Sequence, residues 1–350
     1  MKRAERGRVA MRTLVVGAGA LGGLIAARLY ASGRRVSIAT RDAESATRLR
    51  ASGLKVSGVG GEVLIGFPDV APLDAWRGTG GFDVVLLATK AHDAIRVAPV
   101  LTGLLGPGGF LLPIQNGDVA SMIADQVGEG LVVGGLSNLG ATMTAPGSYE
   151  QRNAGHLLVG ELPGGESMRA ERLRDWFGAA VEVRVTPNIR GAVWAKLLLN
   201  CSVTTIGAIA ARTMREYIVL PGGRALFDLA YAEALAVVLA SGIRPAKMIV
   251  DAVPPGWVGR IVAGDAHEAW LREVVRVYGD VKPSMLQDFE RHRTTEIDFI
   301  NGHVVDLGRT IGVVTPANGA IVDTVQAISR GDIAPGPEAL ARVGRLSLLS

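Results

Sequence analysis

Three observations predict an α/β protein built in two parts. An apolar run from Arg12 to Val16 leads into Gly17-Ala18-Gly19-Ala20-Leu21-Gly22, and helical periodicity follows from Leu24 to Ser32. Short β-rich runs then alternate with helical stretches as far as Pro187. From Asn188 onward the periodicity is helical alone. Together they predict an N-terminal Rossmann-type dinucleotide-binding domain over 11–187 followed by an all-α domain over 188–332. Residues 1–10 read as a disordered leader, and 333–350 as a loosely held tail.

Composition narrows the class. A chain of 350 residues is long for one core, and 48% hydrophobic with 20% charged residues is ordinary for a globular protein. The formal net charge is +4, but Lys2, Arg3, Arg6 and Arg8 against Glu5 place +3 of it in the leader. The body is therefore nearly neutral, and no nucleic-acid partner is expected. The single Cys201 excludes an internal disulfide and fits a reducing cytoplasm. The five histidines form no ligand pair at helical spacing, so no metal is expected. The uncharged runs 97–117 and 130–148 are broken by Gly and Pro, and no membrane span is expected. Leu14 to Ala27 imitates a signal peptide, but its glycines have a better use. A homodimer is the assembly favoured by default.

That use is phosphate binding. Gly17 permits a tight turn, Gly19 lets the backbone approach a pyrophosphate, and Gly22 lets the helix pack on the strand. The helix start offers unpaired N–H groups to an anion; a merely flexible glycine turn is the alternative. Arg35 to Ala39 is the second strand, and it ends in Thr40-Arg41, a hydroxyl and a guanidinium suited to the 2′-phosphate of NADP. Asp42 beside them keeps NAD open. Short strands follow at 55–57 and 62–65, then a strand over Asp83–Thr89 that delivers Lys90 to the carboxyl edge. A helix over 92–104 and a strand over 109–115 lead to Asn116-Gly117, which reads equally as a turn or as a ligand contact. Further strands at 131–137, 141–144, 149–151, 157–160 and 181–186 suggest a parallel doubly wound sheet, antiparallel at its far edge.

In the helical half, Arg190 to Thr204 is apolar except for Lys196, Asn200 and Thr204, which recur at spacing four. A buried lysine needs a wet cavity or a carboxylate; otherwise its head snorkels to the surface. Helices are expected at 226–241, 246–252 and 258–277. Ser284 to Gln287 reads as a capping-box start of a helix running to about Gly308. Leu286, Phe289, Ile300 and Leu307 mark its inward face, and Arg293 and Glu296 fall on the same stripe. A core-facing Glu296 wants a cation, with Lys196 the obvious one and Arg293 the local alternative.

The chain from Met11 to about Ala327 resembles the ketopantoate reductase (2-dehydropantoate 2-reductase) family. The resemblance is carried by the glycine loop, by Trp194-Ala-Lys196-Leu-Leu-Leu-Asn200, and by Ser284-Met-Leu-Gln-Asp288. Thr295-Glu296-Ile-Asp298-Phe-Ile-Asn301-Gly302 and Thr315-Pro316-Ala-Asn318 complete it. It implies NADPH-dependent reduction of a 2-oxo acid, foremost 2-dehydropantoate, with Lys196 as proton donor. By the same resemblance Asn200 and Ser284 contact substrate, and Glu296 supports binding and catalysis near the lysine and the cofactor. Asn116 stands between nicotinamide and substrate, and Lys90 lines the cofactor site with Gly17 to Gly22. Arg41 takes the 2′-phosphate, and the Gly140-Ala141 backbone passes the nicotinamide. Thr204 departs from the pattern, standing where the family commonly has a second asparagine. That leaves open a relative acting on another 2-oxo acid or an imine, while a non-catalytic NADP sensor would need no proton donor. The 243–283 segment is also longer than expected.

Overall fold

The computed structural model describes residues 11–346, so the expected leader at 1–10 lies outside the described residues. By its contacts the chain divides into two units. One is the chain up to Gln115 together with Val119–Ile189, and the other is Asn116–Asp118 together with the chain from Arg190 on.

The first unit opens with β1 (Thr13–Val16), α1 (Ala20–Ala31), β2 (Val36–Thr40) and α2 (Ala43–Ser52). Next come β3 (Leu54–Gly58), β4 (Val63–Ile65), β5 (Val70–Pro72), β6 (Phe82–Leu87), α3 (Ala91–Leu101) and β7 (Leu105–Pro113). It closes with α4 (Val119–Val127), β8 (Gly134–Ser137), β9 (Ala141–Ala145), β10 (Ser148–Gln151), β11 (Leu157–Gly160), α5 (Met168–Phe177) and β12 (Val183–Val185). Asp42 starts α2 by accepting the Ser45 N–H, and Ser167 starts α5 by accepting that of Ala170.

The main sheet has the order β5-β2-β1-β6-β7 and is parallel throughout. β1 is buried along its whole length, as a strand covered on both faces must be. The chain passes from β1 to β2 on one side and later to β6 on the other. The carboxyl ends of β1 and β6 therefore flank a topological switch point.

The expected single sheet with an antiparallel edge is corrected: there are three sheets. β4-β3-β10-β9 forms a second and β12-β11-β8 a third. The reason is packing. Tyr149 on β10 is buried against α1, and a Cβ on Gly23 would lie 1.9 Å from its ring. The Tyr149 hydroxyl donates to the Ala18 carbonyl at 3.0 Å, so the second sheet is fixed to the helix instead of extending the main sheet. An isolated Leu111–Val132 bridge links the segment just ahead of β8 to β7.

The second unit is helical. It holds α6 (Ile189–Leu199), a π-helical turn over Asn200–Thr204, α7 (Thr205–Ala210), α8 (Met214–Tyr217) and α9 (Gly223–Ala240). Then follow α10 (Asp265–Tyr278), α11 (Ser284–Glu290), α12 (Asn301–Ile311), α13 (Pro316–Arg330) and α14 (Pro337–Leu346). The continuous helix Ile189–Ala210 is long and apolar enough to cross a membrane, but it is mostly buried inside this unit. Trp194, Phe227, Tyr231 and Val304 belong to the core around it.

Four expectations fail here. Residues 246–252 are not helical, because Pro245 and Pro254-Pro255 leave too short a run to repay helix nucleation. The helix expected from Val258 begins only at Asp265, after Gly259 and Gly264 at φ +83° and +154°. The helix from Ser284 stops at Glu290, where His292 takes φ +49°, and helix resumes at Asn301. Arg293 is thereby exposed, not inward-facing. The tail expected to be loose instead carries α14, whose Ala339, Leu340 and Val343 are core residues.

A Gly23→Ala substitution is expected to lower unfolding free energy by about 1–3 kcal/mol through overpacking against Tyr149. Urea denaturation measures it, and an unchanged midpoint would mean that the ring can move aside.

Candidate active site

In the first unit the predicted cofactor residues gather at the carboxyl ends of three adjacent strands. The glycine loop follows β1, Arg41 follows β2, and Lys90 stands just ahead of α3, after β6. Gly17 lies at φ +100°, and a Cβ there would meet Thr89 Cγ2 at 2.8 Å. A Cβ on Gly22 would fall 2.0 Å from the Gly17 carbonyl oxygen, so helix and loop can touch only because residue 22 is glycine. Gly19 faces open space, and α1 begins there with no side-chain cap. The uncapped N–H groups of the first turn suit a diphosphate. Thr89 Oγ1 and Gln115 Oε1 are buried without a partner, while Gln115 Nε2 is spent on the carbonyls of Leu87 and Thr89. These features fit a nucleotide at the switch point. Ala141 begins β9 in the second sheet.

The end of β2 departs from expectation in one respect. Thr40 is buried and its hydroxyl donates to the Asp42 carbonyl at 2.9 Å, so it faces the backbone instead of a ligand. Asp42 is committed too. Its carboxylate accepts the Ser45 N–H at 2.7 Å and Arg41 Nε at 3.1 Å, and those bonds hold its pKa down to about 2. The Arg41 side chain is 86% exposed.

In the second unit Lys196 is partly buried on α6, and Glu296, also partly buried, precedes the 3-10 turn Ile297–Phe299. Desolvation lowers the Lys196 pKa from 10.5 to about 8, and the Glu296 carboxylate acts against it by raising it. The two residues singled out from distant segments are thus electrostatic neighbours, although Glu296 comes from a loop and not from the expected long helix.

The π-turn keeps the polar stripe in line. Along an α-helix, four residues overshoot one turn by about 40°. A π-turn holds more residues, so the next four fall short, and Thr204 returns toward the face of Lys196. The Asn200 carbonyl accepts from the hydroxyls of Thr204 at 3.1 Å and Thr205 at 2.9 Å. The Asn200 side-chain amide bonds to no described residue. Thr204 has turned its proton inward, so toward a ligand it presents an acceptor lone pair and a methyl group. Ser284 is exposed at the start of α11, whose Pro283 rests against Gly207; it does not cap its helix, as the capping-box expectation required.

Several residues that hold this arrangement had no role assigned from sequence. Asn301 is wholly buried, and its amide donates to the Cys201 carbonyl inside the π-turn at 3.1 Å and to Asn318 Oδ1 at 2.9 Å. Asn318 in turn donates to Glu233, whose carboxylate accepts the N–H groups of Ala317 and Asn318 at the start of α13. Burial raises the Glu233 pKa, and those donors oppose the shift. Tyr217 donates to the Ser202 carbonyl at 2.6 Å. Asp118 and Trp194 form a further buried pair. The only advance signal was the position of Asn301, Asn318 and Trp194 in the family-like motifs.

Comparison with known proteins follows the same division. A family model described as ketopantoate reductase PanE/ApbA matches residues 13–164, and one described as its C terminal matches residues 188–329. A 2-dehydropantoate 2-reductase of Mesorhizobium japonicum is 29% identical, over 92% of this chain and 99% of its own. One from Halobacterium salinarum is 26% identical, over 91% and 99%. The crystal structure of a PanE/ApbA family ketopantoate reductase from Ralstonia eutropha superposes with TM-score 0.76 at 24% identity, covering 92% of this chain and 99% of that one. D-mandelate dehydrogenase with NADH and anilino(oxo)acetate gives TM-score 0.76 at 22% identity, with the same coverage.

Asn301→Ala leaves buried partners at Cys201 and Asn318 unsatisfied and should cost about 1–3 kcal/mol in unfolding free energy. Chemical denaturation with the midpoint unmoved would show that the π-turn needs no such support.

Proposed function

This chain belongs to the ketopantoate reductase PanE/ApbA family of NAD(P)-dependent 2-oxo acid reductases, and from that premise we propose that it reduces a 2-oxo acid with NADPH, 2-dehydropantoate foremost. The observation that carries the proposal is the Lys196 ammonium, desolvated enough to titrate near 8 and held charged by Glu296. When bound, the reduced nicotinamide supplies hydride to the ketone carbon.

As charge grows on the carbonyl oxygen, the Lys196 ammonium stabilises it and then gives it a proton. A lysine that titrates near working pH is a better acid than one at 10.5. Glu296 keeps enough of it protonated and aims the head group. The unengaged Asn200 amide and the Ser284 hydroxyl orient the acid, and Asn116 serves both substrate and nicotinamide. Gly17 to Gly22 take the diphosphate, with Lys90 and the Ala141 backbone along the cofactor. NADPH is preferred because Asp42, the residue that could grip a ribose 2′-hydroxyl, is spent on capping α2, while the exposed Arg41 can reach a 2′-phosphate. The buried Cys201 thiol suits the cytoplasm as its compartment.

A second reading, another 2-oxo acid, is motivated by Thr204, which stands where the family commonly has an asparagine. With its proton on the Asn200 carbonyl it favours a substrate that donates a hydrogen bond there. The 4-hydroxyl of 2-dehydropantoate can do so, and so can other hydroxylated acids. D-mandelate dehydrogenase, named for a different 2-hydroxy acid, shares this fold.

Nucleotide oxidation across a panel of 2-oxo acids tests the proposal. Lys196→Ala should leave NADPH affinity intact and lower kcat by about 10²–10⁴-fold; wild-type turnover in that variant would remove the lysine from the chemistry. Arg41→Ala should weaken NADPH binding by about 10–100-fold, the worth of a charge-assisted contact, and leave NADH unaffected. Equal losses for both nucleotides would contradict the 2′-phosphate role.

A further inference from the structure

Asn116 is held in the second unit by the two residues that follow it. Gly117 lies at φ +82°, and a Cβ there would fall 2.2 Å from the Phe299 carbonyl oxygen, so its backbone is pressed against the stretch that begins at Glu296. Asp118 is 3% exposed. Its Oδ2 accepts the Trp194 indole N–H at 3.1 Å and lies 3.8 Å from Arg190 Nη2. Trp194 is fully buried two residues before Lys196, and its ring lies 5.3 Å from that of His303 between centroids. A carboxylate so far from water is costly unless it is bonded and paired. Here it joins a short loop to the helix bearing the ammonium, while Gly117 joins the same loop to the segment bearing Glu296.

We propose that Asp118 is a positioning residue for the reduction: by fastening Asn116-Gly117 to the Lys196 helix through Trp194, it fixes where the Asn116 amide stands relative to the ammonium. This rests on the function proposed above, in which Asn116 contacts substrate. Loss of the tether lets Asn116 drift without touching the proton donor, so the defect falls on turnover and not on nucleotide binding.

The test is steady-state kinetics on Asp118→Ala, Asp118→Asn and Trp194→Phe, together with hydrogen–deuterium exchange over residues 114–119. Asp118→Ala and Trp194→Phe should each lower kcat by about 10²-fold, the scale of an ångström's misplacement, with nucleotide affinity close to wild type. Their combination should be no worse than Asp118→Ala alone, since Trp194→Phe removes only the indole N–H bond that Asp118→Ala has already removed together with the Arg190 pairing. Asp118→Asn keeps an acceptor oxygen and should recover most of the loss, as a merely structural charge would not. Exchange over 114–119 should rise in Asp118→Ala and Trp194→Phe and stay low in Asp118→Asn. Unchanged turnover in Asp118→Ala, an Asn variant as slow as the Ala variant, or unaltered exchange would each overturn the proposal. If the wild-type protein reduces no 2-oxo acid, the proposed function falls, and the exchange pattern alone then upholds or overturns the tether.

Discussion

An ammonium group kept inside a largely apolar helical unit is the constraint around which the rest is arranged. Desolvation wins the contest at Lys196. A lysine that titrates near 8 rather than 10.5 has given up on the order of 3 kcal/mol of its preference for charge. Without the Glu296 carboxylate the deficit would be larger, because the one charge that raises the lysine's pKa would be gone. The pair therefore needs both burial and a partner, in a proportion that a surface lysine could not provide.

The fold supplies that proportion at a cost in regularity. The Lys196 helix is interrupted by a π-turn, and π-turns tend to occur at functional sites. Its carbonyls are taken up by Asn301 and Tyr217, and Asn301 is held by Asn318 and Glu233. A chain of buried polar groups, each bonded to the next, thus runs from the site to the start of α13. Such networks are costly when incomplete and rigid when satisfied. Here the Asn301 donors are satisfied while its Oδ1 is buried without a partner among the described residues, and the bonds made to the π-turn keep Lys196, Asn200 and Thr204 on one face.

Much of this was legible in the sequence, and the reasons are local. The strand-glycine-helix start, the polar stripe at spacing four and the approximate positions of most strands follow from periodicity and from what glycine alone can do. What was not legible depends on contacts between distant residues. Nothing near Tyr149 announces that it will lie on Gly23 and pull a second sheet off the first. No periodicity reveals the π-turn, whose partner Asn301 is a hundred residues away. Glu296 was singled out on a helical stripe that does not exist, because His292 breaks it; its charge acts on Lys196 all the same. Asp118 followed an Asn-Gly that reads as a turn, and its burial beside Trp194 has no sequence signature.

The most direct test of the central claim is the pH dependence of kcat/KM for the wild-type protein and for Glu296→Gln. In the wild type the rate should fall as pH rises through about 8, where Lys196, the proposed proton donor, loses its proton. Removing the carboxylate takes away the influence that raises the lysine's pKa, so the basic limb should move to lower pH. A limb that stays in place in Glu296→Gln, or one that lies near the ordinary lysine value in the wild type, would contradict the account.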